Sequence, residues 1–161
     1  IPPLVLKVAP EKRGRRLAEE GGMYNYLESV QGTVIPRCYG YFQKLVDHTK
    51  VTVLPWDRDC VYPRDEDKFD MFRMPNAHAC LAVLLLERVG GPATDIPRDD
   101  LQRDLKDMHE ELVHLGVEYG DWRASNVLKA PQVPPGLPGV ASSKHNRAYQ
   151  LRLIDFEDAY R

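Results

Sequence analysis

The chain has 161 residues, the size of a single domain, and its 22 basic and 24 acidic side chains leave a formal net charge of −2. This balance gives no support for binding to nucleic acid or a membrane, while 43% hydrophobic residues suffice for a globular core. No apolar stretch approaches the roughly 20 residues of a membrane-spanning helix. Three cysteines are too few for a disulfide framework, so we expect an intracellular protein, cytoplasmic or nuclear.

The chain opens with a predicted strand followed by a predicted helix. Residues 4–9 form a short apolar run between prolines, which indicates a buried strand. Lys7 is the anomaly, because strand alternation places its ammonium group on the same face as two apolar neighbours. It therefore needs an anionic partner. The apolar spacing over 11–30 predicts a helix, although two consecutive glycines inside it are unfavourable.

The middle of the chain contains further strand signals separated by a long polar stretch. Residues 34–42 and 51–54 predict the two strands of a hairpin. The stretch 55–79 carries three prolines and dense charge, so it predicts a long loop or insertion. Residues 82–89 predict another buried strand, which ends at a Gly-Gly-Pro break.

The clearest helix signal covers residues 101–115. Five apolar residues there recur at alternating steps of four and three, which places them on one stripe of a helix. Asp99 and Gln102 resemble a capping pair at the start, and Gly116 stands where a helix commonly ends.

Beyond this helix, short apolar pieces alternate with polar loops. Residues 117–119 and 127–129 flank one such loop, and residues 151–156 predict a final strand. The segment 130–146 carries four prolines and predicts a flexible surface excursion.

Candidate chemistry is concentrated in these polar loops. Asp121 and Asn126 lie five residues apart in the first loop, and Asp155 stands near the end of the last predicted strand. Their oxygens are hard donors suited to Mg²⁺ held jointly with phosphate, and an Asp without a metal can accept a hydroxyl proton. Each residue type is also common in turns, so the order of the motifs carries the signal.

That order resembles the protein-kinase-like phosphotransferase superfamily, which includes eukaryotic protein kinases, aminoglycoside phosphotransferases and choline kinases. The resemblance covers residues 4–160. It implies an α+β kinase-like fold that is incomplete, with part of the antiparallel N-lobe sheet, helix C, the hinge, the first C-lobe helix and the catalytic loop. Residues 1–89 would be the N-lobe part with an insertion at 55–79. Residues 90–161 would begin the C-lobe, with a proline-rich loop at 130–146.

The resemblance implies a nucleotide site on the first half of the chain. Lys7 matches the strand lysine that contacts the α/β-phosphates of ATP, and Glu20 is the best match for its helix glutamate, with Glu19 a close competitor. The backbone of Glu87 and Val89 would hydrogen-bond adenine at the hinge. The residues matched to nucleotide-contacting positions, including the gatekeeper-like Leu86, are Lys7, Glu20, Val5, Leu86, Glu87 and Val89.

The resemblance also implies catalytic and metal-binding residues on the second half. Asp121 matches the catalytic Asp, and Asn126 and Asp155 match the two residues that hold Mg²⁺. Arg123 stands where serine/threonine kinases carry a lysine that steadies the γ-phosphate. The implied reaction is transfer of the γ-phosphate of ATP to a hydroxyl of a protein or a small molecule.

The motifs also depart from the protein-kinase pattern. Tyr119-Gly120-Asp121 is nearer to the His-Gly-Asp of aminoglycoside and choline phosphotransferases, and Asp155-Phe156-Glu157 replaces Asp-Phe-Gly. The mixture is similar to divergent kinase-like domains common in fungi. No glycine-rich loop precedes Lys7 in this sequence, so the alternative is a catalytically impaired, pseudokinase-like binding or scaffold domain.

Overall fold

The computed structural model describes residues 2–47 and 78–161. The elements in these ranges are β1 (Leu4–Pro10), α1 (Glu11–Tyr26), β2 (Cys38–Asp47), β3 (His78–Glu87), α2 (Arg98–His114), β4 (Val127–Lys129) and β5 (Leu151–Leu153), with 3₁₀ turns at Glu28–Val30 and Ala124–Asn126. They form a three-stranded and a two-stranded antiparallel sheet. The expected mixed α+β class is thereby confirmed. Neither described helix is both long and apolar enough to span a membrane.

The larger sheet has the strand order β1-β3-β2, with the most apolar strand, β3, in the centre. Ala82, Leu84 and Leu86 on one face of β3 are buried. Leu17 and Tyr24 of α1 are buried in the same core, and α1 contacts all three strands of the sheet. Burial of this face stabilises the helix and sheet together.

The predicted hairpin differs from the structure. The predicted strand 34–42 begins only at Cys38 and continues to Asp47, and its partner is β3. Val34 and Ile35 precede the strand as fully buried residues of a turn. The other predicted strand, 51–54, lies outside the described residues, as does almost all of the predicted loop.

Helix α1 ends at Tyr26, four residues before the predicted end, and a 3₁₀ turn follows it. The packing of α1 explains one of the two unfavourable glycines inside the helix, Gly21. A Cβ at this position would lie 3.1 Å from the Cβ of Tyr41, so the missing side chain allows α1 to pack closely on β2.

Helix α2 begins three residues before the predicted start. Pro97 is its N-cap residue and makes no side-chain capping bond, so the predicted Asp99–Gln102 capping pair is wrong. Asp99 instead lies in the first turn, where a carboxylate interacts favourably with the helix dipole. Gly116 follows the helix with a φ of 72°, which is consistent with the predicted stop.

The proline-rich segment 130–146 lies on the surface, as predicted, but its second half is tied to the rest of the fold. The Val140 N–H donates to the carbonyl of Gly32 at 2.9 Å. The side chain of Ser142 is buried and donates to Glu111 of α2. Hydrogen bonds therefore connect this segment to both halves of the chain.

The last predicted strand is shorter than expected. Strand β5 ends at Leu153, and Asp155 adopts a left-handed conformation with a φ of 66°. Asp is one of the few residue types that tolerate this conformation. The chain therefore turns sharply at the residue that the motif order singled out.

Candidate functional site

A lysine on the edge strand and a glutamate on the first helix form the centre of the site. The Lys7 Nζ donates to both oxygens of Glu20, at 2.8 and 2.9 Å. Glu20 is fully buried. Glu19 points elsewhere and pairs with Arg15 one turn earlier on the exposed side of α1. The structure therefore brings Glu20, and not its neighbour, to the lysine.

Asp155 reaches the same lysine from the far end of the chain. The Lys7 Nζ lies 2.9 Å from its Oδ1, although 148 positions separate the two residues. The Phe156 N–H lies 3.4 Å from the Glu20 carboxylate, which closes the cluster from the other side. Glu157 also places an oxygen within 4.8 Å of Glu20 and Asp155, so the three carboxylates form a possible cation site. The Lys7 ammonium already serves as the counter-charge for two of them.

Burial and ion pairing act in opposite directions on the pKa values of Lys7 and Glu20. Burial lowers the pKa of Lys7, but the Glu20 and Asp155 carboxylates outweigh it, and the pKa lies above its ordinary value of 10.5. Burial raises the pKa of Glu20 above 4.5, while Lys7 acts in the opposite direction. Lys7 is therefore a protonated donor held by two carboxylates.

The loop before β4 holds a second group of polar side chains. The Asn126 Nδ2 donates to the Asp121 Oδ2 at 2.8 Å, and Asn126 is buried in the short 3₁₀ turn. The Arg123 Nε donates to the Asp121 Oδ1 at 2.6 Å, and its Nη2 donates to the other oxygen. Hydrogen bonding to the Arg123 guanidinium holds the pKa of Asp121 below its ordinary value of 3.8. Both carboxylate oxygens of Asp121 therefore have partners.

Backbone pairing joins this loop to the turn that carries Asp155. The Ile154 N–H donates to the Asn126 carbonyl at 3.0 Å. Immediately alongside, Val127 of β4 pairs with Leu153 of β5. The short sheet thus places the Asp121–Asn126 loop next to the Lys7 cluster.

A cluster of three aromatic rings, in edge-on and tilted contact, packs beside both groups in the core. The rings of Tyr119 and Phe156 lie 4.9 Å apart between centroids, and those of Phe156 and Tyr24 lie 5.5 Å apart. The Tyr119 hydroxyl donates to the carbonyl of Ile154 at 2.5 Å. Burial raises the pKa of both tyrosines, so they remain neutral. Within the described ranges the Tyr24 hydroxyl has no hydrogen-bond partner.

The remaining predicted residues lie where β1 and β3 pair. Val5 and Leu86 are direct partners in the ladder, with Val5 41% exposed and Leu86 buried. The Glu87 N–H donates to the Arg37 carbonyl at 2.8 Å. The Glu87 N–H is therefore already bonded within the protein, and of the Glu87 backbone only the carbonyl could make the expected hydrogen bond to adenine. Val89 follows two positions later and is half-buried.

Sequence reasoning missed three contributors to this region. The sequence pattern marks Tyr24 only as part of the apolar spacing of a helix, and Tyr119 only as part of an altered motif. Arg37 forms an ion pair with Glu87 at 2.6 Å, and local patterns do not reveal this pair because its two residues lie 50 positions apart in the chain. Their roles depend on contacts between distant segments.

No model of a known protein family matches this chain, and no curated protein matches it either. Functional inference therefore rests on the geometry of the site.

Proposed function

We propose that the chain carries the nucleotide site of an ATP-dependent phosphotransferase with a kinase-like fold. The observation that carries the proposal is the contact of the Lys7 ammonium with both Glu20 and Asp155. In kinases the corresponding lysine–glutamate ion pair must be in place for activity, together with the metal-binding Asp. The motif order describes the residues along the chain, and the three-way contact describes how the fold brings them together.

Lys7 would hold the α/β-phosphates of ATP. Its side chain is 32% exposed, so a phosphate can approach the ammonium group while Glu20 continues to hold it from the buried side. Val5 has an exposed side chain two positions earlier, on the same face of β1, where it would contact the base.

Asn126 and Asp155 suit a magnesium ion. The Asn126 amide nitrogen is committed to Asp121, and among the described residues the Oδ1 has only a long 3.4 Å contact from Ser125. Asp155 uses one oxygen for Lys7, and residues 2–47 and 78–161 provide no hydrogen-bond partner for the other. Amide and carboxylate oxygens are the hard donors that Mg²⁺ takes beside phosphate. A bound Mg²⁺ would neutralise phosphate charge during transfer.

Asp121 would orient the acceptor hydroxyl and accept its proton. Its lowered pKa keeps the carboxylate ionised at neutral pH, and Asn126 fixes its orientation. Arg123 is 70% exposed at its side chain and can turn from Asp121 towards the transferred phosphoryl group. The acceptor is a hydroxyl of a protein or a small molecule.

Nucleotide binding and turnover test this proposal directly. Calorimetric titration with ATP should show binding that strengthens when Mg²⁺ is present, and Mg²⁺-ATP should raise the thermal midpoint. Lys7→Met should abolish binding, because the phosphate contact is lost. Asp121→Asn should retain binding but lose ATP turnover, whereas Asp99→Asn on the exposed first turn of α2 should change neither. If wild-type protein fails to bind ATP, the proposal is wrong.

The Arg123–Asp121 pair favours a second candidate function, a catalytically impaired kinase-like binding or scaffold domain. Three hydrogen bonds, two from Arg123 and one from Asn126, occupy most of the acceptor positions on the Asp121 carboxylate. This candidate predicts Mg²⁺-ATP binding without turnover, in the wild type and also in Arg123→Ala. Turnover that appears or rises in Arg123→Ala would instead support the phosphotransferase.

A further inference from the structure

Arg37 makes three contacts with Glu87 at the end of β3 and a fourth with the proline-rich segment. Its Nη1 donates to the Glu87 Oε1 at 2.6 Å, and its backbone N–H donates to the other carboxylate oxygen at 3.1 Å. Its carbonyl accepts the Glu87 N–H at 2.8 Å. The Nη2 then reaches away from Glu87 to the carbonyl of Pro138 at 2.7 Å. One guanidinium therefore bridges the strand end and the proline-rich segment.

Residues 138–142, which we call the strap, are fitted closely against this bridge. A Cβ at Gly139 would lie 2.8 Å from the Nη2 of the fully buried Arg152, so a larger residue there would displace this guanidinium. The same Nη2 donates to the Gly32 carbonyl at 2.5 Å, and Val140 donates to that carbonyl as well. The near end of the strap is thus held by both backbone and guanidinium groups.

The far end of the strap is anchored on α2. The buried Ser142 hydroxyl donates to the Glu111 carboxylate and accepts the N–H groups of Lys144 at 3.1 Å and His145 at 2.9 Å. Glu111 also accepts the hydroxyl of Tyr149 at 3.0 Å. A buried carboxylate with two hydroxyl donors is a rigid anchor, because breaking either bond leaves charge unsatisfied.

We propose that Arg37 is a positioning residue for the adenine end of the nucleotide site, and that the strap holds it in place from α2. The inference rests on the proposed function and on the contact with adenine that the kinase resemblance implies for the backbone of Glu87 and Val89. Arginine suits this task because its planar fork presents separate donors to the Glu87 carboxylate and the Pro138 carbonyl. A lysine ammonium at the same position has no such planar fork, so it cannot hold the two acceptors in the same geometry.

Arg37→Lys tests the positioning role while keeping a cation beside Glu87, so that folding is retained. Arg103→Lys, which alters an exposed pair on α2, is the matched control. With Mg²⁺ present, the affinity of Arg37→Lys for ATP should fall about tenfold, the size expected from one lost charge-assisted hydrogen bond. Its affinity for inorganic tripolyphosphate, which has no base, should stay unchanged. Equal changes for both ligands, or no change, would overturn the positioning role.

Amide hydrogen exchange tests the strap without any ligand. Ser142→Ala should speed exchange at the Val140 amide and also at the Glu87 amide, which lies at the other end of the connection. Ser143→Ala, at the exposed neighbouring position, should change neither amide. Faster exchange at Val140 alone would show that the strap anchor on α2 does not stabilise the end of β3, and would overturn the proposed role of the strap.

The two experiments also separate this inference from the function on which it rests. If wild-type protein binds ATP and Arg37→Lys binds it equally well, the positioning role fails and the proposed function stands. If wild-type protein binds neither ATP nor tripolyphosphate, the proposed function and the positioning role fail together. The exchange result then still decides whether α2 and β3 are coupled.

Discussion

Two ion pairs in this molecule use similar chemistry in opposite environments. The Lys7–Glu20 pair lies against the core, with the glutamate fully buried and a second carboxylate, Asp155, on the same ammonium. The Arg123–Asp121 pair lies on the surface, with most of the arginine side chain in solvent. Removing the partner of a buried charge lowers the free energy of unfolding strongly, whereas the attraction within an exposed pair is screened by water and salt. The first pair is therefore a fixed element, and the second can rearrange.

The largest effect is expected when the buried Lys7–Glu20 pair is broken. Glu20→Gln removes a buried charge that holds Lys7, and we expect it to lower the free energy of unfolding by about 2 kcal/mol. Glu19→Gln, one residue earlier and on the exposed side of α1, should change it by less than about 0.5 kcal/mol. Urea unfolding of both variants measures the difference. Equal losses would show that the two glutamates share one environment.

Smaller effects on stability are expected from removing the hydroxyl groups of the buried Tyr119 and Tyr24. Tyr119→Phe removes the hydroxyl that donates to Ile154, and we expect a loss of about 1 kcal/mol in unfolding free energy. Tyr24→Phe removes a buried hydroxyl for which no partner is found in the described ranges, so stability should stay equal or rise slightly. Thermal and urea unfolding of the two variants should separate them. A larger loss in Tyr24→Phe would contradict the described packing.

The smallest effect concerns the exposed pair. The Arg123 guanidinium holds the pKa of Asp121 below 3.8, so Arg123→Ala should raise this pKa towards the ordinary value. The pair's contribution to stability is present above pH 3.8 and is lost as the pH falls through the lowered pKa of the folded state. Carboxyl-carbon NMR titration of the wild type and the variant measures the shift. An unchanged pKa would show that Arg123 does not rest on Asp121 in solution.

Several features of the fold followed from local patterns. The apolar stripe of α2 and the apolar run of β1 depend on periodicities of a few residues, and both elements are present in the structure. The predicted burial of β1 is wrong, because four of its apolar side chains are 39 to 48% exposed. Strand alternation also indicated that Lys7 needed an anionic partner, and two carboxylates meet this expectation. The early end of the last strand was not predictable, because the left-handed turn at Asp155 leaves no mark on the apolar pattern.

The contacts within the candidate site were harder to predict from local sequence patterns. Glu19 and Glu20 have the same chemistry and differ by one position, and only the docking of α1 on the sheet turns Glu20 inward. The pairing of β2 with β3 could not be predicted from local patterns either, because β3 begins 31 positions after β2 ends. The strap depends on Arg37, whose partners lie on segments far away in sequence.

The amino-acid sequence by itself determined which residues can carry charge, where helices and strands are favoured, and the order in which a lysine, a glutamate, an Asp–Asn loop and a final Asp follow one another. Only the tertiary structure decided which carboxylates meet at Lys7 and how the proline-rich segment reaches Glu87. The reason is physical. Periodicity and charge are properties of neighbours along the chain, whereas burial, ion pairing and anchoring are properties of neighbours in space.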